Sequence, residues 1–158
     1  MGVKVDLLEE IRNRLATAAS SGTLTVVKRV RVGSVEEARK ESDFPVINIQ
    51  LNGGIEQADT PNRRFYDDMD IKVSLIDTKL AEESNSLYKT SDTTGILYVF
   101  EKLLNVLDKK TDGTVDNTFN SNAYFLRTNS YTVNESNSVI EISINISVRS
   151  KTFAQGGR

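Results

Sequence analysis

The feature that most constrains this chain lies near its end, where Ile140, Ile142, Ile144, Ile146 and Val148 alternate without a miss against Glu141, Ser143, Asn145, Ser147 and Arg149. Successive strand residues point to opposite faces, so a period of two puts the branched apolar side chains on one side and the polar ones on the other. A helix would scatter both sets around its axis. The pattern runs through residues 139–151, which as a strand would reach about 40 Å at 3.3 Å per residue, roughly twice the ordinary length. Such a strand is expected to outrun its own core or to pair with something outside it.

Residues 64–76 repeat the design: Met69, Ile71, Val73 and Leu75 line one face and Asp68, Asp70, Lys72 and Ser74 the other, as in a sheet half buried and half wet. In residues 44–51, Pro45 suits a strand's first position, and Ile47, Ile49 and Leu51 share a face. Asn52-Gly53-Gly54 is expected to stop that strand and residues 55–64, with Pro61 and Asn62, to form an exposed loop. The β-branched run 24–32 reads as a further strand, broken by Gly33.

Two main helices are expected. In residues 5–19, Leu8, Ile11, Leu15 and Ala18 fall at helical spacing, with Ser20-Ser21-Gly22 as the stop. In residues 96–107, Ile96, Val99, Phe100, Leu103, Val106 and Leu107 do the same, after possible N-caps from Ser91 to Thr94. Ser34-Val35-Glu36-Glu37 fits a capping box, with the Ser34 hydroxyl accepting from the Glu37 amide, and predicts a turn or two of helix through Lys40. A short helix over 80–88 and a mobile loop over 109–122 complete the middle. The chain closes on a hairpin, with residues 124–133 as its first arm and Asn134 to Ser138 as its turn. The predicted order is α-β-(α)-β-β-α-β-β. This is one α+β domain over residues 1–151: an antiparallel or mixed sheet, two main helices on one face, and a flexible tail at 152–158.

Composition narrows the chemistry. With no Cys, the chain has no thiol nucleophile, disulfide or thiolate metal site. With no His, it lacks the usual general base near neutral pH and the commonest zinc ligand. A net charge of −2 gives no concentrated basic face for nucleic acid. Acidic excess gathers in residues 51–112 while both flanks are slightly basic, which could complement a neighbour but is equally ordinary surface variation. No apolar run is long enough to span a membrane, and the start, with Asp6 arriving at once, reads neither as a secretory signal nor as a myristoylation site. A soluble chain made in the cytoplasm is the expectation, with no membrane partner.

The chemical motifs are weak. Asp108 to Asp116 has Asp112 and Gly113 where a calcium loop would want them, but Lys110 and Phe119 stand at ligand positions, so a solvated loop is the better reading. Asp67, Asp68 and Asp70 form an acidic cluster in which strand alternation puts Asp68 and Asp70 on one face. A wet sheet face or an inter-subunit salt bridge outweighs a metal site there. Arg63-Arg64 and Lys28-Arg29-Arg31 lack the interleaved aromatics and Gly-rich loops of a nucleic-acid site; solubility or a protein contact suits both better. No phosphate loop or nucleophile elbow is present, and neither a cofactor nor enzymatic activity is expected.

In layout the chain resembles the tail terminator (tail-completion) proteins of long-tailed bacteriophages. The likeness comprises the opening helix at 6–19, the strand before Ser34, and Phe44-Pro45-Val46-Ile47-Asn48-Ile49 entering the next strand. It continues with the long alternating strand at 64–76, the helix at 96–107 and a final hairpin ending in Ile140 to Val148. The resemblance implies a non-enzymatic virion protein at the head-proximal end of the tail. It would form a ring, commonly hexameric, that ends tube polymerisation and joins tail to head. Its partners would be further copies of itself, the tail tube protein and a head-tail connector or neck protein, with DNA passing through the lumen without sequence-specific binding. The family carries no catalytic residue to transfer, and the segments 80–88 and 109–122 have no place in its pattern.

Residues 52–66, 109–122 and 152–158 are the segments expected to contact other subunits, with Arg63, Arg64, Asp68, Asp70, Arg149 and Phe153 as the candidate contact residues. Three rival readings remain: another head-tail connector or a tail tube subunit, a small ligand- or nucleic-acid-binding domain, and a His-free enzyme using Asp68 or Asp70. A tube subunit would polymerise without limit, a nucleic-acid binder would show steep salt dependence, and an enzyme would need a concave site.

Overall fold

The computed structural model describes residues 3–22, 24–41, 43–59, 64–78, 96–107, 118–119, 123–126, 131–136 and 139–153. In chain order the elements are α1 (Val3–Ser21), β1 (Arg29–Val32), α2 (Val35–Ala38), β2 (Val46–Asp59), β3 (Arg64–Thr78), α3 (Ile96–Leu107), β4 (Thr118–Phe119), β5 (Ala123–Leu126), β6 (Tyr131–Glu135) and β7 (Val139–Phe153). They make an α+β fold around one mixed sheet, ordered β1-β2-β3-β7-β5-β4, with β6 also on β7. Only β1 and β2 run parallel; every other pair is antiparallel.

The centre of the sheet is the β3–β7 pair, in register from Arg64 opposite Phe153 to Thr78 opposite Val139. Alternation decides which side chains are buried. Met69, Ile71, Val73 and Leu75 meet Ile142, Ile144, Ile146 and Val148 on one face, and Ile47 and Ile49 of β2 extend it. The same cluster takes in Leu7, Ile11, Leu15 and Ala18 of α1, and Ile96, Val99, Phe100, Leu103 and Leu107 of α3. In α1 the deeply buried residue of the first turn is Leu7, with Leu8 only half buried. A smaller cluster on the opposite face joins Val35 and Ala38 of α2 to Val46, Ile76 and Val139.

Several sequence expectations are corrected. Residues 24–28 are not strand. The Leu24 amide donates to the Ala18 carbonyl and the Val27 amide to the Leu24 carbonyl, so the chain turns straight out of α1 and drives Leu24 and Val27 into the core. The capping box is half made. Ser34 Oγ accepts from the Glu36 amide, and the Val35 amide goes to Gln50 Oε1 across the sheet. The expected first hairpin arm is two strands: β5 ends with Leu126 opposite Ser147, and β6 begins with Tyr131 opposite Ile144. The turn is also tighter than expected, with the Ser136 amide donating to the Val139 carbonyl. Thr152 and Phe153, assigned to a flexible tail, belong to β7 opposite Phe65 and Arg64. Thr118 and Phe119, inside the expected 109–122 loop, pair with β5. The expected helix at 80–88 and the calcium-like stretch from Asp108 to Asp116 lie outside the described residues.

The largest correction concerns Asn52-Gly53-Gly54, which does not end β2. Leu51 pairs with Ile71 but Gly53 pairs with Asp70, so Asn52 is an extra residue in a β-bulge and the strand continues to Asp59. Gly53 has φ of 114°, a conformation open to glycine. At Gly54, a Cβ would run into the backbone carbonyl of Asp68 on β3. The bulge shifts the alternation by one residue, and Ile55-Glu56-Gln57-Ala58-Asp59 has no period of two from which a strand could be read. Gly54→Ala is therefore expected to destabilise the fold by about 1–3 kcal/mol through loss of the β2–β3 pairing. Urea denaturation measures this, and a loss under about 0.5 kcal/mol, the level of an ordinary surface change, would contradict so close a backbone approach.

Candidate interaction surface

The register brings most of the candidate contact residues together. Arg64 pairs with Phe153, Asp68 with Arg149, and Asp70 with Ser147. Directly opposed antiparallel residues share a face, and residues two apart along a strand share it too. Arg64, Asp68, Asp70, Arg149 and Phe153 therefore sit on one face of a ribbon made by β2, β3 and β7. Asp70 is exposed and accepts a 3.0 Å hydrogen bond from Ser147 Oγ. Arg63 lies outside the described residues. Among the described residues no group of three or more acids is arranged to hold a metal ion.

The same face changes character towards α2. Periodicity predicts a wet row, yet Asn48, Ser74, Glu141 and Ser143 are buried there. Two devices make this tolerable. Hydrogen bonds run along the row, with the Ser74 and Ser143 hydroxyls 2.9 Å apart and Ser143 donating to Glu141 Oε1 at 3.0 Å. Arg39, just after α2, donates to Glu141 Oε2 through Nε at 2.9 Å and Nη2 at 2.6 Å, while Lys72 Nζ approaches Oε1 at 3.6 Å. Sequence reasoning missed this group because Arg39 and Glu141 are about a hundred residues apart and only α2's position joins them. Asn48 Nδ2 donates to the Gly33 carbonyl at 2.9 Å, but its Oδ1 is buried with no partner.

Burial acts to raise the Glu141 carboxyl, but hydrogen bonds from Arg39 and Ser143 and the charges of Arg39 and Lys72 outweigh it and hold the pKa below 4.5. A charged carboxylate so enclosed is structural: it ties the end of α2 to the centre of the sheet and carries no sign of a reacting group. Basic β1 is partly neutralised, since Glu41 contacts Arg29 at 3.0 Å and Arg31 at 3.8 Å.

The edges of the sheet are the other open feature. Every residue of β6 is exposed, including Tyr131 and Val133, although Tyr131 also leans on Phe100 of α3 with ring centroids 5.7 Å apart. On the far side, Val32 of β1 and Leu51 of β2 are exposed. Unpaired strand edges are templates for pairing with another chain. No protein-family model matches the chain, and no curated protein matches it either. No described helix is long and apolar enough to cross a membrane.

Because Glu141 titrates from a depressed native pKa, its contribution is full above the ordinary value of 4.5 and is lost as pH falls through the lower native value. Acid should therefore cost the wild type more stability than Glu141→Gln over that window, which chemical denaturation at stepped pH would show. Parallel pH profiles would contradict the assignment. At neutral pH, Arg39→Ala should cost about 2 kcal/mol, since it leaves a buried carboxylate with Lys72 as its cation and the Ser143 hydroxyl as its donor, though Arg39 is itself partly screened by solvent.

Proposed function

We propose that this chain is a structural virion subunit of the tail terminator kind. Copies of it assemble into a ring, hexameric by the family resemblance, that caps the phage tail tube and meets the neck. The observation that carries the reading is the ribbon of β2, β3 and β7. Its strands stay paired to Asp59, Arg64 and Phe153. Fifteen residues of β7 span about 50 Å, and so long a ribbon is suited to reaching neighbouring molecules. Its outer face carries acids and bases in one row, as a water-containing subunit contact or a DNA-conducting lumen would use. In this reading no residue is catalytic and no cofactor is needed.

Light scattering and negative-stain electron microscopy of the purified protein, alone and mixed with tail tubes, test the proposal. Discrete rings that bind one end of a tube and stop its growth are the expected result. Unlimited tubes would identify a tube subunit instead. Rings that ignore tube ends would point to a connector placed elsewhere in the neck. A monomer that stays monomeric beside tube ends would sink the proposal.

A further inference from the structure

The two edges of the sheet are stepped, and the steps match. On one side, β2 is covered by β1 only from Val46 to Ile49, leaving its edge from Gln50 to Asp59 without a strand partner among the described residues. On the other side, among the described residues β7 is followed by β6 alone along Ile140 to Ile144, but by β5 along Ser147 to Ser150, with β4 beyond β5 at the level of Arg149 and Ser150. If β6 of one copy lies beside β1 of the next, two strands, β6 and β1, separate β7 from the neighbour's β2 at one end of the sheet. At the other end two strands, β5 and β4, fill the same gap.

We propose that copies of this chain join head to tail through these edges, β6 on the neighbour's β1 and β4 against the neighbour's β2, so that one sheet runs continuously through the assembly. The proposal rests on the ring reading above and names its contact surface.

Direction, face and charge all agree with the β6–β1 contact, while β4 runs parallel to the neighbour's β2. Relative to β2, the pairings make β1 and β7 run the same way and β6 the opposite way. Rotation about an axis parallel to the strands preserves strand direction, so β6 meets the neighbour's β1 antiparallel, the more stable arrangement. The same rotation keeps the faces in phase. Val133 shares the apolar face with Ile142, and Val32 shares it with Ile49; Val133 and Val32 are 42% and 39% exposed, so both have surface left to bury. Lys28, Arg29 and Arg31 lie on or next to β1, with Glu41 contacting Arg29 and Arg31, whereas the one charged side chain in the β6 sequence is Glu135. Pairing β1 with β1 would oppose cations, while β6 with β1 opposes unlike charges.

The hydrogen-bond phase shows which backbone groups face outwards. The Ser136 amide bonds to the Val139 carbonyl. Antiparallel pairs alternate between bonded and non-bonded, so Tyr131 and Val133 turn their amides and carbonyls away from β7, towards the outer edge. Val133→Pro thus removes an outward donor without removing a β6–β7 hydrogen bond.

The experiment begins with the mass of wild type and Val133→Pro by light scattering, with circular dichroism as a check on folding. A wild-type ring and a folded Val133→Pro whose ring dissociates at least tenfold more readily on dilution is the expected pair of results. A wild-type monomer defeats the ring reading itself, whereas a Val133→Pro ring as stable as wild type overturns only the edge pairing. Should Val133→Pro misfold, cross-linking decides. The chain has no cysteine, so a short bis-maleimide reacts only at introduced sites. Val32→Cys combined with Val133→Cys should give a ladder of covalent oligomers ending at the ring, and each single variant should give monomers. Dimers from Val133→Cys alone would mean β6 pairs with β6, and no ladder from the double variant would mean the two edges do not meet. Either result overturns the proposal.

Discussion

The pairing of β3 with β7 is the constraint on which everything else rests. Both strands have fifteen residues and they pair without a register break. Sliding one by a single residue would carry Ile142, Ile144 and Ile146 to the polar side and Glu141 and Ser143 into the core. At roughly 1.5–3 kcal/mol for each large apolar side chain removed from burial, such a slip costs about as much as a domain's whole stability. The pair therefore sets which face α1 and α3 can cover and leaves a matching polar row on the other side.

That polar row shows how the sheet accommodates two environments on one face. Towards α2 it is buried and, apart from Asn48 Oδ1, hydrogen-bonded: Ser74 and Ser143 hydrogen-bond to each other, and Glu141 is enclosed by Arg39, Lys72 and Ser143. Towards the far end, Asp70 is exposed, and the row continues through Asp68 and Arg149 to Arg64 and Phe153. The buried half anchors the sheet to α2, and the charges of the outer half suit contacts between molecules. The bulge at Asn52 lies near the junction, and bulges of this kind increase local twist and re-aim the strand beyond them.

Much of the scaffold was legible in the chain. Strands β3 and β7 and helices α1 and α3 each carry a long, regular apolar period, and each forms where that period predicts. Failures occurred where the period was interrupted. Gly53 and Gly54 read as a stop because glycine usually ends a strand, whereas here the missing side chains allow β2 to approach Asp68 and continue. Residues 24–28 looked extended because they are β-branched and apolar, but Leu24 and Val27 are buried by a turn out of α1. Of the contact candidates, Arg64, Asp68 and Asp70 could be placed on one face from their own spacing. That Arg149 and Phe153 join them depended on a register with a strand some eighty residues away.

By itself the sequence determined the type of each strongly periodic element, the side of it that must be buried, and the absence of thiol and imidazole chemistry. These follow from local geometry and residue identity, which do not depend on what lies across the sheet. Only the tertiary structure decided that Glu141 is a buried ionic anchor, that the terminal arm divides into β5 and β6, and that the two sheet edges are stepped. Each depends on which distant backbone lies alongside, and hydrogen bonding between strands is set by the backbone that every residue shares. The pattern of side chains restricts those pairings to a few, and packing of the whole selects among them.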